Sequence, residues 1–177
     1  MTRLPFLKFL WASLCVLFTA MYIAGHYGVR INTTRSAPLG FWRVVSTDAT
    51  ALSVGDYALL CPPKSQAVRT LVDAGILTPG QCRNGESPFV KQVVALSGAY
   101  FAVADTGVHI DGALIDQSIP LVLKGLHRAK PGFVPEHHFV AVQTMHTHSI
   151  DSRYFGPFPI SDVIGIMEPL WTANVGS

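Results

Sequence analysis

Cysteine is scarce in this chain of 177 residues: there are three, and no two stand in a Cys-x2-Cys hook. That excludes the common thiolate zinc sites. Charge is sparse too, with acidic and basic residues making up 14% of the chain and a formal net charge of +2. No Lys/Arg run interleaves with aromatics, so no nucleic-acid partner is expected. No Gly-x-Ser-x-Gly elbow occurs, and with it goes the usual setting of a histidine-activated serine. Internal repeats and low-complexity segments are absent. His146 and His148 alternate along one side of a strand or loop, but no third carboxylate or thiol ligand accompanies them. No metal or other cofactor is expected, and His137 and His138 read as surface residues.

One long hydrophobic run is present. Arg3 and Lys8 precede Phe9 to Gly25, a stretch without charge, and the next charged residue is Arg30. With its uncharged flank to Val29 the run is long enough to span a bilayer. A cleaved leader would also start basic and apolar, but it needs a small-x-small exit. Thr19 to Gly25 offers no clear Ala-x-Ala site. Trp11 and Tyr22 lie near opposite ends of the run, as interfacial anchors do. The reading is therefore an uncleaved membrane anchor over residues 1–29 and one domain over residues 30–177. Arg3 and Lys8 favour an internal N-terminus, while Arg30 and Arg35 weaken the asymmetry. No amphipathic stripe supports a buried core helix instead.

Export makes the cysteines readable. Cys15 falls within the apolar run, whereas Cys61 and Cys82 lie outside it, flanked by Pro62-Pro63 and Pro79-Gly80. In an oxidising compartment these two are a disulfide candidate, stabilising by roughly 3 kcal/mol on loop-closure grounds. In a reducing one they are two free thiols.

The rest of the chain reads as mainly β. Gly28 to Arg35 looks like a linker. Strands are expected at Phe41–Ser46, Tyr57–Leu60, Phe89–Leu96, Tyr100–Ala104, Val108–Ile115 with a turn at Asp111-Gly112, His138–Gln143 and Val163–Trp171. Ala67, Val68, Leu71 and Val72 share a helical face, so Lys64–Ala74 is the expected soluble helix, ended by Gly75. An irregular excursion is expected over about 117–137, which is rich in proline and glycine.

Three frames carry chemistry. The first is Ser36-Ala37-Pro38-Leu39-Gly40. Pro38 and Gly40 set a tight extended turn, expose the Ser36 hydroxyl and leave room for a substrate backbone to approach. Thr34 points to the same side in an extended segment, so its hydroxyl and the Ser36 N–H form a candidate oxyanion hole. The second is Phe89-Val90-Lys91-Gln92-Val93-Val94. Alternation places Lys91 between Phe89 and Val93 on one face. There it is either an edge-strand lysine that guards against aggregation or a base whose ammonium is disfavoured by burial. A serine hydroxyl needs such a base to become nucleophilic. The third is Ser149-Ile150-Asp151-Ser152-Arg153-Tyr154-Phe155-Gly156-Pro157, where Asp151 and Arg153 are close enough to pair and brace a loop.

In this order, after an N-terminal anchor, the three frames resemble the signal peptidase I family over nearly the whole chain. The resemblance implies a signal-peptidase-like β fold with one transmembrane helix and one short soluble helix. It implies that Ser36 is the nucleophile, Lys91 the general base, Thr34 an oxyanion donor, Ser149 the group that orients Lys91, and Asp151 with Arg153 a supporting pair. General leader peptidases read Ser-Met-x-Pro-Thr, continue the lysine box to Gly-x-Pro-Gly-Asp, and carry Gly-Asp-Asn before the last box. Here stand Ser36-x-Pro38-x-Gly40, Ala95-Leu96-Ser97-Gly98-Ala99 and Gln143-Thr144-Met145-His146. The short serine frame, single anchor, small size and paired cysteines resemble the conjugative-transfer, TraF-type branch.

The expectation is thus a serine endopeptidase of the bacterial inner membrane with its domain in the periplasm. Its partners would be the membrane and an exported precursor, such as a conjugative pilin, either hydrolysed or cyclised through an acyl-enzyme. The alternatives are a general type I signal peptidase and a non-catalytic pilus assembly factor. Cytosolic Ser/Lys autoproteases of the LexA type fit poorly beside an anchor.

Overall fold

The computed structural model describes residues 3–33, 37–83, 85–122, 126–145 and 149–173. Helix α1 (Arg3–His26) is apolar on all sides and its described side chains are exposed almost throughout. Its segment Phe6–His26 has a mean hydropathy of 1.8, long and apolar enough to cross a membrane. Cys15 is a free thiol on this helix.

Eleven strands follow among the described residues: β1 (Val29–Asn32), β2 (Gly40–Ser46), β3 (Tyr57–Leu60), β4 (Phe89–Leu96), β5 (Tyr100–Ala104), β6 (Gly107–Ile110), β7 (Ala113–Leu114), β8 (Gly132–Phe133), β9 (His138–Val142), β10 (Phe158–Pro159) and β11 (Val163–Thr172). They form a seven-stranded antiparallel sheet in the order β1-β2-β11-β3-β4-β9-β10 and a four-stranded sheet in the order β7-β6-β5-β8. The fold is mainly β, as the sequence indicates.

Five elements differ from the sequence reading: the two-residue strands β8, inside the expected excursion, and β10 are too short to show alternation, and three others depart for reasons of pairing or capping. Gly28–Arg35 is not a linker throughout, because β1 pairs with β2 along Val29–Asn32. Its four residues, half-buried only at the ends, are too few to show alternation. Helix α2 (Gln66–Asp73) starts two residues late because Ser65 caps it, its hydroxyl accepting the Val68 N–H. A short helix, α3 (Ser152–Phe155), stands where a braced loop was expected, because the Asp151 carboxylate caps it by accepting the Arg153 N–H.

The core is built from both sheets. Leu60, Val93, Phe139, Ala141 and Phe158 pack on one side of the large sheet. Ala95, Val140 and Val142 pack against Phe101 and Val108 of the small one. A third cluster joins Ala37, Trp42, Val90 and Met167. Gly40 serves packing within this region. A Cβ there would lie 2.1 Å from the Trp171 carbonyl oxygen, so the space that glycine opens is filled by β11 and not left for a substrate. Cys61 and Cys82 form a disulfide with a Cα–Cα distance of 5.6 Å. Replacing both by serine is expected to lower unfolding stability by about 3 kcal/mol, read from urea melts at unchanged slope.

Candidate active site

Lys91 occupies the middle of β4, where register pairs it with Ala58 of β3. Its side chain is only 3% exposed. The Nζ lies 5.3 Å from the centroid of the Phe89 ring and donates a hydrogen bond to Ser149 Oγ at 2.6 Å. Burial brings the Lys91 ammonium down to about 8 from the ordinary lysine range; the Asp151 carboxylate opposes that shift and Arg153 adds to it. A lysine so placed is half neutral near pH 8, with a lone pair available to accept a proton.

The third frame holds Ser149 in place. Asp151 and Arg153 are fully buried and pair in two-pronged fashion, Nε donating to Oδ1 at 2.9 Å and Nη2 to Oδ2 at 2.7 Å. Asp151 Oδ2 also accepts the Gln143 N–H at 3.0 Å. Burial works to raise the Asp151 carboxyl, but the Arg153 hydrogen bond and charge outweigh it and hold the group below the ordinary carboxylate value. Ser152 Oγ accepts the Ala141 N–H, so the frame is fastened both to β9 and to Gln143 just beyond its end. Arg153 Nη1 reaches the Ile119 carbonyl, and the Tyr154 hydroxyl accepts the Leu121 N–H and donates to its carbonyl. The excursion is thereby tied down behind the frame.

Two adjoining clefts meet beside these residues. One, of about 200 Å³, is lined by Lys91, Phe89, Leu77 and Ile150. The other, of about 430 Å³, runs between Ile31 to Thr33 and the 78–88 segment over a floor of Trp42, Leu59, Val90 and Met167. Thr78, Ser87 and Pro88 line both.

Thr34 and Ser36, the expected oxyanion donor and nucleophile, lie outside the described residues, as do His146 and His148. The chain on either side of residues 34–36 is held firmly. Asn32 Nδ2 donates to the carbonyls of Ala37 at 2.9 Å and Pro38 at 3.1 Å, and Trp42 Nε1 donates to Pro38 at 2.9 Å. Ala37 packs in the same cluster as Val90, the neighbour of Lys91 in sequence. Among the described residues no group of three His, Cys, Asp or Glu side chains is placed to hold a metal ion.

Asn32, Gln143 and Ser152 were not singled out from the sequence. Each acts through a hydrogen bond to backbone far along the chain or across a turn, and a single Asn, Gln or Ser carries no pattern that reveals this. Gln143 Oε1, for example, accepts the N–H groups of Thr144 and Met145.

Residues 4–171 match the family described as signal peptidase, peptidase S26. The chain belongs to this family. Among its relatives it is 37% identical over 149 residues to a probable conjugal transfer protein TraF of Sinorhizobium fredii, covering 82% of this chain and 78% of that one. It is 34% identical to a conjugal transfer protein TraF of Agrobacterium fabrum, covering 97% and 98%. It is 30% identical to a plasmid transfer protein TraF of Escherichia coli, covering 84% and 86%. A solved signal peptidase I from Enterococcus faecalis aligns over 65% of this chain and 95% of its own, with 17% identity and a TM-score of 0.37. Family membership makes the protein a peptidase that acts on protein substrates. These relatives are named for conjugal or plasmid transfer, and the apolar helix and disulfide of this chain point to a membrane-anchored or exported protein.

Burying Lys91 has a thermodynamic signature. Its folded-state value lies below the unfolded one, so the unfolded chain binds more protons between about pH 8 and the ordinary lysine value, and stability rises with pH across that window. Lys91→Met removes this dependence. The stability advantage of Lys91→Met over the parent is expected to shrink by about 2 kcal/mol between about pH 7 and about pH 10, read from denaturant melts at both ends.

Proposed function

We propose that this chain is a serine endopeptidase anchored in the inner membrane by α1, with its residue 30–177 domain in the periplasm, using Ser36 as nucleophile and Lys91 as general base. The observation that carries the reading is the buried Lys91–Ser149 contact inside an apolar pocket that opens to a cleft. A lysine held there by one hydroxyl keeps its proton weakly and has a fixed direction in which to accept another.

In this mechanism neutral Lys91 takes the Ser36 proton as the hydroxyl attacks the scissile carbonyl. The Thr34 hydroxyl and the Ser36 N–H stabilise the oxyanion. Lys91 then returns the proton to the leaving amine, and the acyl-enzyme passes to water or to an amine of the same substrate. Ser149 orients Lys91, and the Asp151–Arg153 pair fixes the loop from which Ser149 projects. The relatives' roles in conjugal transfer favour an exported conjugative pilin precursor as substrate over general leader-bearing proteins.

Mass spectrometry of a co-expressed pilin precursor, with wild-type chain and with Ser36→Ala, tests the assignment. A Ser36-dependent product at the hydrolysed mass establishes a peptidase; one lighter by a water establishes cyclisation. A precursor processed equally by Ser36→Ala contradicts the proposal. Ser149→Ala is expected to lower kcat by about tenfold to a hundredfold with little change in KM, because only the direction of the lysine lone pair is lost. Equal kcat in this variant would remove Ser149 from the mechanism.

A further inference from the structure

The segment between α2 and β4 folds back on itself as a small hairpin. Pro79 and Glu86 form a β-bridge, and backbone bonds run from Ser87 to Thr78, Gly80 to Gly85, Cys82 to Glu86 and Gly85 to Cys82. Ser87 Oγ adds a bond to the Pro79 carbonyl at 2.8 Å. The two legs touch so closely that a Cβ on Gly80 would lie 2.5 Å from Ser87 Cα. The hairpin therefore holds its own shape with local contacts.

Its position is another matter. One leg leaves α2 and the other enters β4, while the turn region reaches back to the body through Cys82, bonded to Cys61. Cys61 directly follows β3 and is fixed by its N–H bond to the Asp162 carbonyl. β3 is the strand that pairs with Lys91 and Phe89. The disulfide thus ties the turn of the hairpin to the strand beside the lysine. Thr78, Gly80, Gln81 and Ser87 of this hairpin form the wall of the larger cleft opposite Ile31 to Thr33, and Thr78 and Ser87 continue along the lysine cleft.

Resting on the reading of the chain as a Ser36/Lys91 peptidase, we infer that the Cys61–Cys82 bond is a positioning device for substrate. It sets the width of the groove that receives the peptide without touching the groups that cleave it. The hairpin wall governs how tightly the segment around the scissile bond is held, while Lys91 and Ser149 keep their geometry through the Asp151–Arg153 frame on the other side.

The test compares wild type with two disulfide-free variants, Cys61→Ser/Cys82→Ser and Cys61→Ala/Cys82→Ala; the second keeps the buried Cys82 position apolar and serves if the first does not fold. Two probes are used: a quenched fluorescent peptide spanning the processing site of the pilin precursor, and a small activated acetate ester that acylates Ser36 without filling the groove. Both variants are expected to raise KM for the peptide by about tenfold, with kcat and the rate of ester acylation within about twofold of wild type. An unchanged KM in folded variants overturns the inference and leaves the bond a staple of the fold. Parallel loss of ester acylation also overturns it, because the disulfide would then support the dyad itself. A wild-type chain that the ester does not acylate at Ser36 overturns the peptidase reading beneath it.

Discussion

Lys91→Met is expected to reduce peptide cleavage by about a thousandfold or more while leaving the fold intact. The side chains are similar in length, and methionine fills the apolar pocket between Phe89 and Ile150 without an amine to desolvate. Folding should therefore survive or improve. What is lost is the only described group beside the cleft with a lone pair suited to take the Ser36 proton, since the Asp151 carboxylate is already engaged by Arg153 and Gln143. General-base catalysis contributes about 10²–10⁴-fold, and removing one member of a cooperating nucleophile–base unit costs more. Single-turnover cleavage with a thermal melt alongside checks this. A Lys91→Met chain that melts normally and cleaves within about tenfold of wild type would remove lysine from the mechanism.

The second large effect concerns the pair behind the lysine. Asp151→Ala is expected to cost about 3–5 kcal/mol of stability, because it removes the carboxylate that pairs with the Arg153 guanidinium in a site with no solvent exposure. The substitution also removes the acceptor of the Gln143 N–H and the cap of α3. In a domain of this size such a loss lowers the melting temperature by roughly 10 °C. The double variant Asp151→Ala/Arg153→Met removes both charges together and should recover much of the loss, which separates the lost charge pairing from the other lost contacts. Where the single variant still folds in the cold, the lysine loses a carboxylate that favours its charged form, and the activity profile should shift toward lower pH. A melt within about 1 kcal/mol of wild type would show that the pair bears little on stability.

The parts of this architecture that were legible in the sequence are those written in local pattern. The alternation through Phe89–Leu96 and Tyr100–Ala104 reproduces β4 and β5 residue for residue. The third frame placed Asp151 and Arg153 two residues apart, and the ion pair follows directly. The apolar run of α1 needed only its length and composition. What stayed hidden depends on distant partners. β1 is a strand because β2 lies beside it, and its four residues cannot announce that alone. Gly40 reads as room for a substrate until β11, more than a hundred residues on in sequence, is seen to occupy that room. The role of Asn32 in bridging the serine frame from Ala37 to Pro38 has no local signature at all.

The choice between an aggregation-guarding lysine and a buried base was likewise open in sequence. The register of β4 between β3 and β9 resolves it in favour of burial, since Lys91 sits on an inner strand of the large sheet. Its pairing with Ser149 then follows from β9 and α3 holding the third frame against that strand. Neither neighbour can be inferred from the residues adjacent to Lys91.

The central claim, that Lys91 activates Ser36, is tested most directly by acylating the chain with the small activated ester from about pH 6 to about pH 10 and reading acyl-enzyme formation by intact mass. The account predicts a single acyl group on Ser36, a rate that rises with pH to half its maximum near 8 as Lys91 loses its proton, and no acylation in Lys91→Met. Acylation of Ser36 at an undiminished rate in Lys91→Met, or a wild-type rate that does not change with pH, would contradict it.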